Sequence, residues 1–370
     1  MILIVGKICI IACYLTYRKT MKKIILFLIL TQSIISCSNS DDSADDNPIS
    51  SGNYYAVGST YGKNKDNNFT QLASVWIDGA PTILSNTAIS SVANAVASYN
   101  NDIYVAGTES VNNGNTILKV WKNNSGENVT DGNHLVEATD LTVNEGNIYI
   151  AGNEFIGPLN SSIATVWKNG QAIRLSDKIS EANAVYVLNN DVYVTGYKVI
   201  NDKKTAIVWK NGVETVLTSE EDDLESIATD IYVNAENIYV IGYLRNSFKS
   251  RAILWKNNSP FILSNENDFS QANALFVYNT DVYVVGCDID THKYDFVGKV
   301  WKNGTLVKEI NGANPKSIDI KNNKIYIAGS GLDERGMHDE GKIWESDLNN
   351  LNFVAKYKFP NNKVNAILVK

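Results

Sequence analysis

Histidine and cysteine are scarce, three and four among 370 residues. His134, His292 and His338 lie far apart, none at metal-ligand spacing from another, so the chain offers no zinc site. Cys9, Cys13 and Cys37 crowd the N-terminus and leave Cys287 alone in the rest of the chain. A disulfide framework is thereby excluded, and stability has to come from packing. Basic residues are also short, 33 Lys plus Arg against 40 Asp plus Glu, and five of the basic ones precede residue 37. The remainder carries a net charge of about −12, which disfavours nucleic acid and anionic membrane surfaces as partners. A helical period is absent beyond residue 52, and no cofactor is expected.

What is present is a repeat. All seven tryptophans, Trp76, Trp121, Trp167, Trp209, Trp255, Trp301 and Trp344, occupy one position of it, 45, 46, 42, 46, 46 and 43 residues apart. Around each runs Ala-x-Val-Trp-Lys-Asn-Gly or a relative, intact at 164–170. Before it comes a Tyr followed three residues later by Gly, from Tyr55 and Gly58 to Tyr326 and Gly329, with invariant spacing. Eleven residues before the Tyr, from the second copy on, stands an Ala-Asn-Ala-Val-like motif headed by Ala93, Ala138, Ala182, Ala228, Ala272 and Pro315.

Each copy reads as four short strands rich in Val, Ile, Tyr and Trp and bounded by Asn, Asp and Gly. In the third copy these are about 137–143, 147–152, 162–167 and 171–176. Asn169-Gly170 suits a type I′ turn, where both central residues need positive φ, so the third and fourth strands form a hairpin. The second strand is apolar at consecutive positions, as in Ile103-Tyr104-Val105-Ala106, so both of its faces must be covered. Stacked four-stranded sheets satisfy that demand. The expected fold is all-β, a seven-bladed β-propeller with four-stranded antiparallel blades.

The first copy lacks its first strand. The chain ends in Val364-Asn365-Ala366-Ile367-Leu368-Val369, which matches Ala182-Asn183-Ala184-Val185-Tyr186-Val187 position by position. The C-terminal strand is therefore expected to complete blade 1 beside 53–58, leaving no open sheet edge. Residues 53–370 form the propeller, 37–52 an acidic tether too polar to pack, and 1–36 a leader. Within the leader, 1–20 reads as an upstream start and 21–36 as a signal peptide.

All length variation among copies falls between the Gly and the Trp and between the Trp and the next first strand. Both connections open on one side of the ring, here the variable face, the expected binding face of a repeat fold. Tyr197 and Tyr243, directly after the blade Gly at the heads of the expected loops 197–204 and 243–250, are candidates for stacking on a glycan or peptide while neighbouring amides bond its polar groups. The second position of the first strand forms a ring of Asn94, Thr139, Asn183, Thr229, Asn273, Lys316 and Asn365 near the channel. Asn183, Asn273 and Lys316 are ligand-binding candidates there, although the amides could equally bridge neighbouring inner strands. Lys316 is the ring's only charge. Catalytic candidates are confined to Asp140 and Asp230, which replace Ala at the third position of that strand; a glycosidase needs two such carboxylates across the channel mouth. Asp288 and Asp290 are calcium candidates without the spacing of an EF-hand, and a solvated acidic loop is the alternative. A monomer is expected.

The whole repeat resembles the seven-bladed propeller families. Its Tyr, Gly and Trp markers are similar to Kelch and its period to WD40, but a single Gly replaces the Kelch doublet and the Gly-His and Trp-Asp dipeptides are missing. The resemblance implies the fold and transfers no catalytic residue. Met21-Lys22-Lys23, an apolar run and Ile34-Ile35-Ser36-Cys37 resemble the signal and lipobox of bacterial lipoproteins. That implies cleavage before Cys37 and its acylation, with an uncleaved signal anchor as the alternative. The stretch 38–46 resembles an acid-rich export signal for the surface of a Gram-negative outer membrane; the same stretch also reads as a linker without an address. Taken together, these features lead us to expect an envelope binding module, with an envelope glycoside hydrolase or lyase, or a scaffold subunit of an outer-membrane complex, as alternatives.

Overall fold

Twenty-eight strands assemble into seven four-stranded antiparallel sheets. The computed structural model describes residues 53–370 apart from 87, 113, 158–160, 220–222, 266–268, 291–294, 334 and 337–339. The expected leader, Cys37 and the tether lie outside the described residues. Blade 4 shows the plan: an inner strand Ser180–Leu188, then Asp191–Ile200, Lys203–Lys210 and a short outer strand Val213–Val216. Blade 1 takes its inner strand from the C-terminus, Asn362–Val369, which pairs antiparallel with Tyr54–Lys63 from Tyr54↔Val369 to Thr60↔Asn362. The propeller and its closure by both ends of the chain are thus present as expected.

The repeated residues hold the blades in two ways. Seven buried clusters each span one junction between neighbouring blades, and each contains one Trp. Trp255 of blade 5, for example, lies fully buried against Ala206, Val208 and Leu217 of blade 4. A buried indole of this kind contributes roughly 3 kcal/mol or more of packing, and burying its N–H needs a partner. The indoles of Trp255 and Trp301 donate to the carbonyls of Thr218 and Leu263 in the preceding blade.

The Lys-Asn that follows the Trp in blades 2 to 6 ties the hairpin turn to the blade. Asn169 and Gly170 have φ of +48° and +84°, and the equivalent pairs of blades 1 to 6 are positive in the same way, which is the type I′ geometry that Asn and Gly permit. The side-chain oxygens of Asn123, Asn169, Asn211, Asn257 and Asn303 each accept the first N–H of the second strand at 2.8 to 2.9 Å. In blades 2, 4 and 6 the adjacent Lys pairs with the acid that opens that strand, as Lys210 does with Asp191 at 2.7 Å. In blade 1 Asp78 takes over, its carboxylate accepting from the N–H of Asn53 and Tyr54. These turns make up the turn face, opposite the variable face.

One expectation about loops needs correcting. The segments 197–204 and 243–250 are not open loops, because the second and third strands continue as a ladder well past the Gly, for instance Tyr197↔Ala206 to Ile200↔Lys203. Tyr197 is therefore a strand residue, 4% exposed.

Candidate functional site

A bulge in every inner strand shapes the channel mouth. In blade 4 the ladder with the second strand steps from Ala182 directly to Ala184, leaving Asn183 unpaired, and all seven inner strands repeat this step. A bulged residue is turned out of the ladder, free to reach sideways. The bulge presses the inner strand against the Gly of the second strand. A Cβ on Gly196 would stand 1.9 Å from the Glu181 carbonyl oxygen, and the other six blade glycines show contacts between 1.8 and 2.2 Å. Close backbone approach explains the invariant Gly, whose φ is not positive.

The bulged side chains form a belt. Six of the seven donate to the carbonyl of the first motif residue in the next blade: Asn94 to Ala138, Thr139 to Ala182, Asn183 to Ala228, Thr229 to Ala272, Asn273 to Pro315 and Asn365 to Ala93, at 2.6 to 3.0 Å. Asn183 and Asn273 thus each commit one amide N–H to the ring.

Asp140 and Asp230 are placed as a second set of clasps. The Asp140 carboxylate accepts from the N–H of Leu141 and, across the blade junction, of Val185, at 2.8 and 2.9 Å. Asp230 does the same with Ile231 and Leu275 at 2.8 Å. Both oxygens of each are thereby engaged by main chain, as burial of a carboxylate requires. Ser317 plays the same part for Ile367 in blade 7, and Asp319 holds the N–H of Val369.

Asp140 and Asp230 are half-buried and Asp319 is buried. Burial pushes Asp140 up to about 6; burial and the neighbouring Asp140 charge push Asp230 up to about 7, against the hydrogen bonds from Leu275 and Ile231. Burial likewise raises Asp319 to about 6. A folded chain with raised carboxyl pKa values holds protons that the unfolded chain, near 3.8, has released, so stability falls as pH rises from about 4 to about 7. Melting followed by circular dichroism should show a transition about 5 °C higher at pH 5 than at pH 8, on the order of 3 kcal/mol after screening by channel water. Asp230→Asn should be less stable and should reduce that slope; an unchanged slope would contradict the assignment.

A cavity of about 750 Å3 opens at the variable end of the channel, inside the belt. Its wall combines belt residues, the residue preceding each inner-strand motif, here Glu137, Glu181 and Gln271, and Tyr197 and Tyr243 from the second strands. Burial raises the Tyr197 hydroxyl, and its hydrogen bond to the Glu181 carboxylate raises it further. Lys204 lies 4.2 Å from the centre of the Tyr197 ring, and the Arg245 guanidinium 5.8 Å from that of Tyr243. Arg245 is also paired with Glu225 at 3.2 Å. Burial and the nearby Glu181 charge raise the Glu137 carboxyl. Lys316 reaches the cavity from the opposite side. The structure thus brings together the predicted Tyr197, Tyr243, Asn183, Asn273 and Lys316 and adds Glu137, Glu181, Lys204 and Arg245.

Of the calcium candidates, Asp288 is paired with Lys299 at 2.7 Å, so an ammonium already neutralises it. Asp290 lies on the same strand, Asp281–Asp290. Among the described residues no three His, Cys, Asp or Glu side chains are grouped to hold a metal ion. Cys287 is buried and its thiol is pushed up to about 11 by that burial, which leaves it unreactive.

No protein-family model matches the chain, and no curated protein matches it. Solved structures do, at the level of fold. The β-propeller domain of the Trilobed protease from Pyrococcus furiosus, described as having an open velcro topology, aligns with a TM-score of 0.50 at 10% identity over 83% of this chain and 95% of that one. The acylaminoacyl peptidase of Pyrococcus horikoshii gives 0.50 at 11% identity, covering 84% of this chain and 52% of that one. This chain spans about half the length of such peptidases, and at these identities the likeness establishes the propeller alone.

Proposed function

We propose that the protein is a non-catalytic binding module of the cell envelope, which takes a glycan, peptide or protein segment into the mouth on its variable face. The cavity carries the reading. It is of ligand size, is lined from several blades, and sets Tyr197 and Tyr243 beside charged groups of both signs. The half-buried Tyr243 ring with flanking amides and charges suits an amphipathic ligand such as an oligosaccharide. On this reading Cys37 carries the lipid anchor at the outer membrane, and the tether reaches the ring at Asn53. Asn53 lies on the turn face, bonded to Asp78, on the side of the ring opposite the mouth. Measured by calorimetry against oligosaccharide and peptide panels, the protein should bind one class without turnover, and Tyr243→Ala should weaken binding about tenfold. Binding indifferent to Tyr243→Ala and Glu181→Gln would sink the assignment.

The raised Glu137 carboxyl beside Glu181 favours a second reading, an envelope glycoside hydrolase or lyase with Glu137 as the acid. Product release from a polysaccharide, abolished by Glu137→Gln, would establish it.

A further inference from the structure

The belt has one gap. At the junction of blades 7 and 1 the bulged residue is Lys316, and among the described residues its ammonium makes no hydrogen bond or ion pair, whereas the six other bulged residues bond the next blade. Beside it opens a separate pocket of about 490 Å3 between these blades, bounded by Tyr61, Gln71, Lys316, Asn361 and Lys363 among others. Lys316 and Lys363 are both exposed, and Lys363 too lacks a carboxylate partner among the described residues. None of the lining residues is acidic, in a chain with 40 Asp plus Glu against 33 Lys plus Arg. Other lysines of the ring, such as Lys210, Lys299 and Lys302, are paired with acids. Two unneutralised ammonium groups in one concavity repel each other and are stabilised by an incoming anion.

An exposed aromatic rim adjoins the charges. Tyr61, 59% exposed, stacks on Phe69, 63% exposed, with ring centres 5.9 Å apart. A pair left to solvent beside amide and hydroxyl groups presents one flat apolar face and several hydrogen-bonding groups.

We propose that this seam pocket is a subsite for an acidic saccharide, with Lys316 and Lys363 holding a carboxylate or sulfate and Tyr61 facing the sugar ring. Uronate and sulfate esters share the chemistry of a compact oxyanion on a hydroxylated ring. The site names a ligand class for the variable face but shares only Lys316 and Asn365 with the mouth, so the two fail separately.

The test is calorimetry on the full chain with three probes: trigalacturonate, its methyl ester, and a sulfated galactan oligosaccharide of the same length. At least one acidic probe should bind about tenfold more tightly than the neutral ester, and whichever acid binds identifies the source of the anion. Lys316→Met and Lys363→Met should each weaken that acid about tenfold and preserve the melting temperature, and Lys363→Met, which lies outside the mouth, should leave the ester unchanged; Lys256→Met on the turn face should change nothing. Binding should also weaken as salt is raised. The proposal is overturned by equal affinity for acid and ester, by binding of neither acid, or by indifference to both lysine substitutions. Loss of binding in Tyr243→Ala but in neither lysine variant would overturn the seam and retain the mouth; the reverse pattern would do the opposite.

Discussion

Removal of residues 364–370 is expected to abolish cooperative folding. Those seven residues supply most of the inner strand of blade 1 and with it the ladder to Tyr54–Gly58. Val364 and Ile367, 2% and 6% exposed, leave the cluster they share with Trp76 and Phe359. Asn365 no longer bonds Ala93, and Ser317 and the buried Asp319 lose the N–H groups of Ile367 and Val369. The combined loss, on the order of 10 kcal/mol, is comparable with the whole stability of a typical domain. Far-ultraviolet circular dichroism and size-exclusion chromatography should show an unfolded or aggregated product, since Tyr54–Lys63 becomes an apolar open edge. A truncated chain that melts like the full one would disprove the closure. A synthetic peptide of residues 362–370 should restore part of the structure by adding as a strand.

Gly196→Val is the second large effect. The new Cβ would meet the Glu181 carbonyl oxygen at 1.9 Å, with the Ala182 Cα at 3.1 Å, and both contacts are backbone. Neither can swing aside as a side chain would. Relief requires the bulge to move outward by more than 1 Å, roughly, which withdraws Asn183 from Ala228 and strains the blade junction, a cost of about 4 kcal/mol or more. Urea titration should show a midpoint lowered by a large fraction of its wild-type value, or no soluble protein. Gly170→Ala offers the contrast, since its φ of +84° is strained but no atom lies within 4 Å, so it should cost only about 1 kcal/mol.

The architecture was legible because its residues serve packing, and packing recurs. Trp at each blade junction and Gly opposite each bulge must be repeated seven times for seven equivalent sheets, Asn recurs at five of the turns, and the last strand could be matched to its blade by the same pattern. The site was only half legible. Lys316 stood out by breaking a ring of Asn and Thr, and Tyr197 and Tyr243 by their place after the Gly, though they were expected in loops rather than in strands. Glu137 and Glu181 gave a fainter signal: they precede the inner-strand motif, where other copies carry Val92, Ile227, Gln271, Asn314 and Lys363. That variation at a fixed offset marks the mouth. Asp140 and Asp230 could not be assigned from sequence, because a carboxylate that clasps the next blade and one that faces a ligand differ only in how the bulge aims them.

The pairing of Tyr54–Thr60 with Asn362–Val369 also sets a clock. About 300 residues separate the partners, so at roughly 5–20 residues per second the early strand waits for tens of seconds during synthesis before its neighbour exists. Contacts of such long range are slow to form even afterwards. Newborn chains therefore pass through a stage in which six blades can assemble while blade 1 stays unzipped.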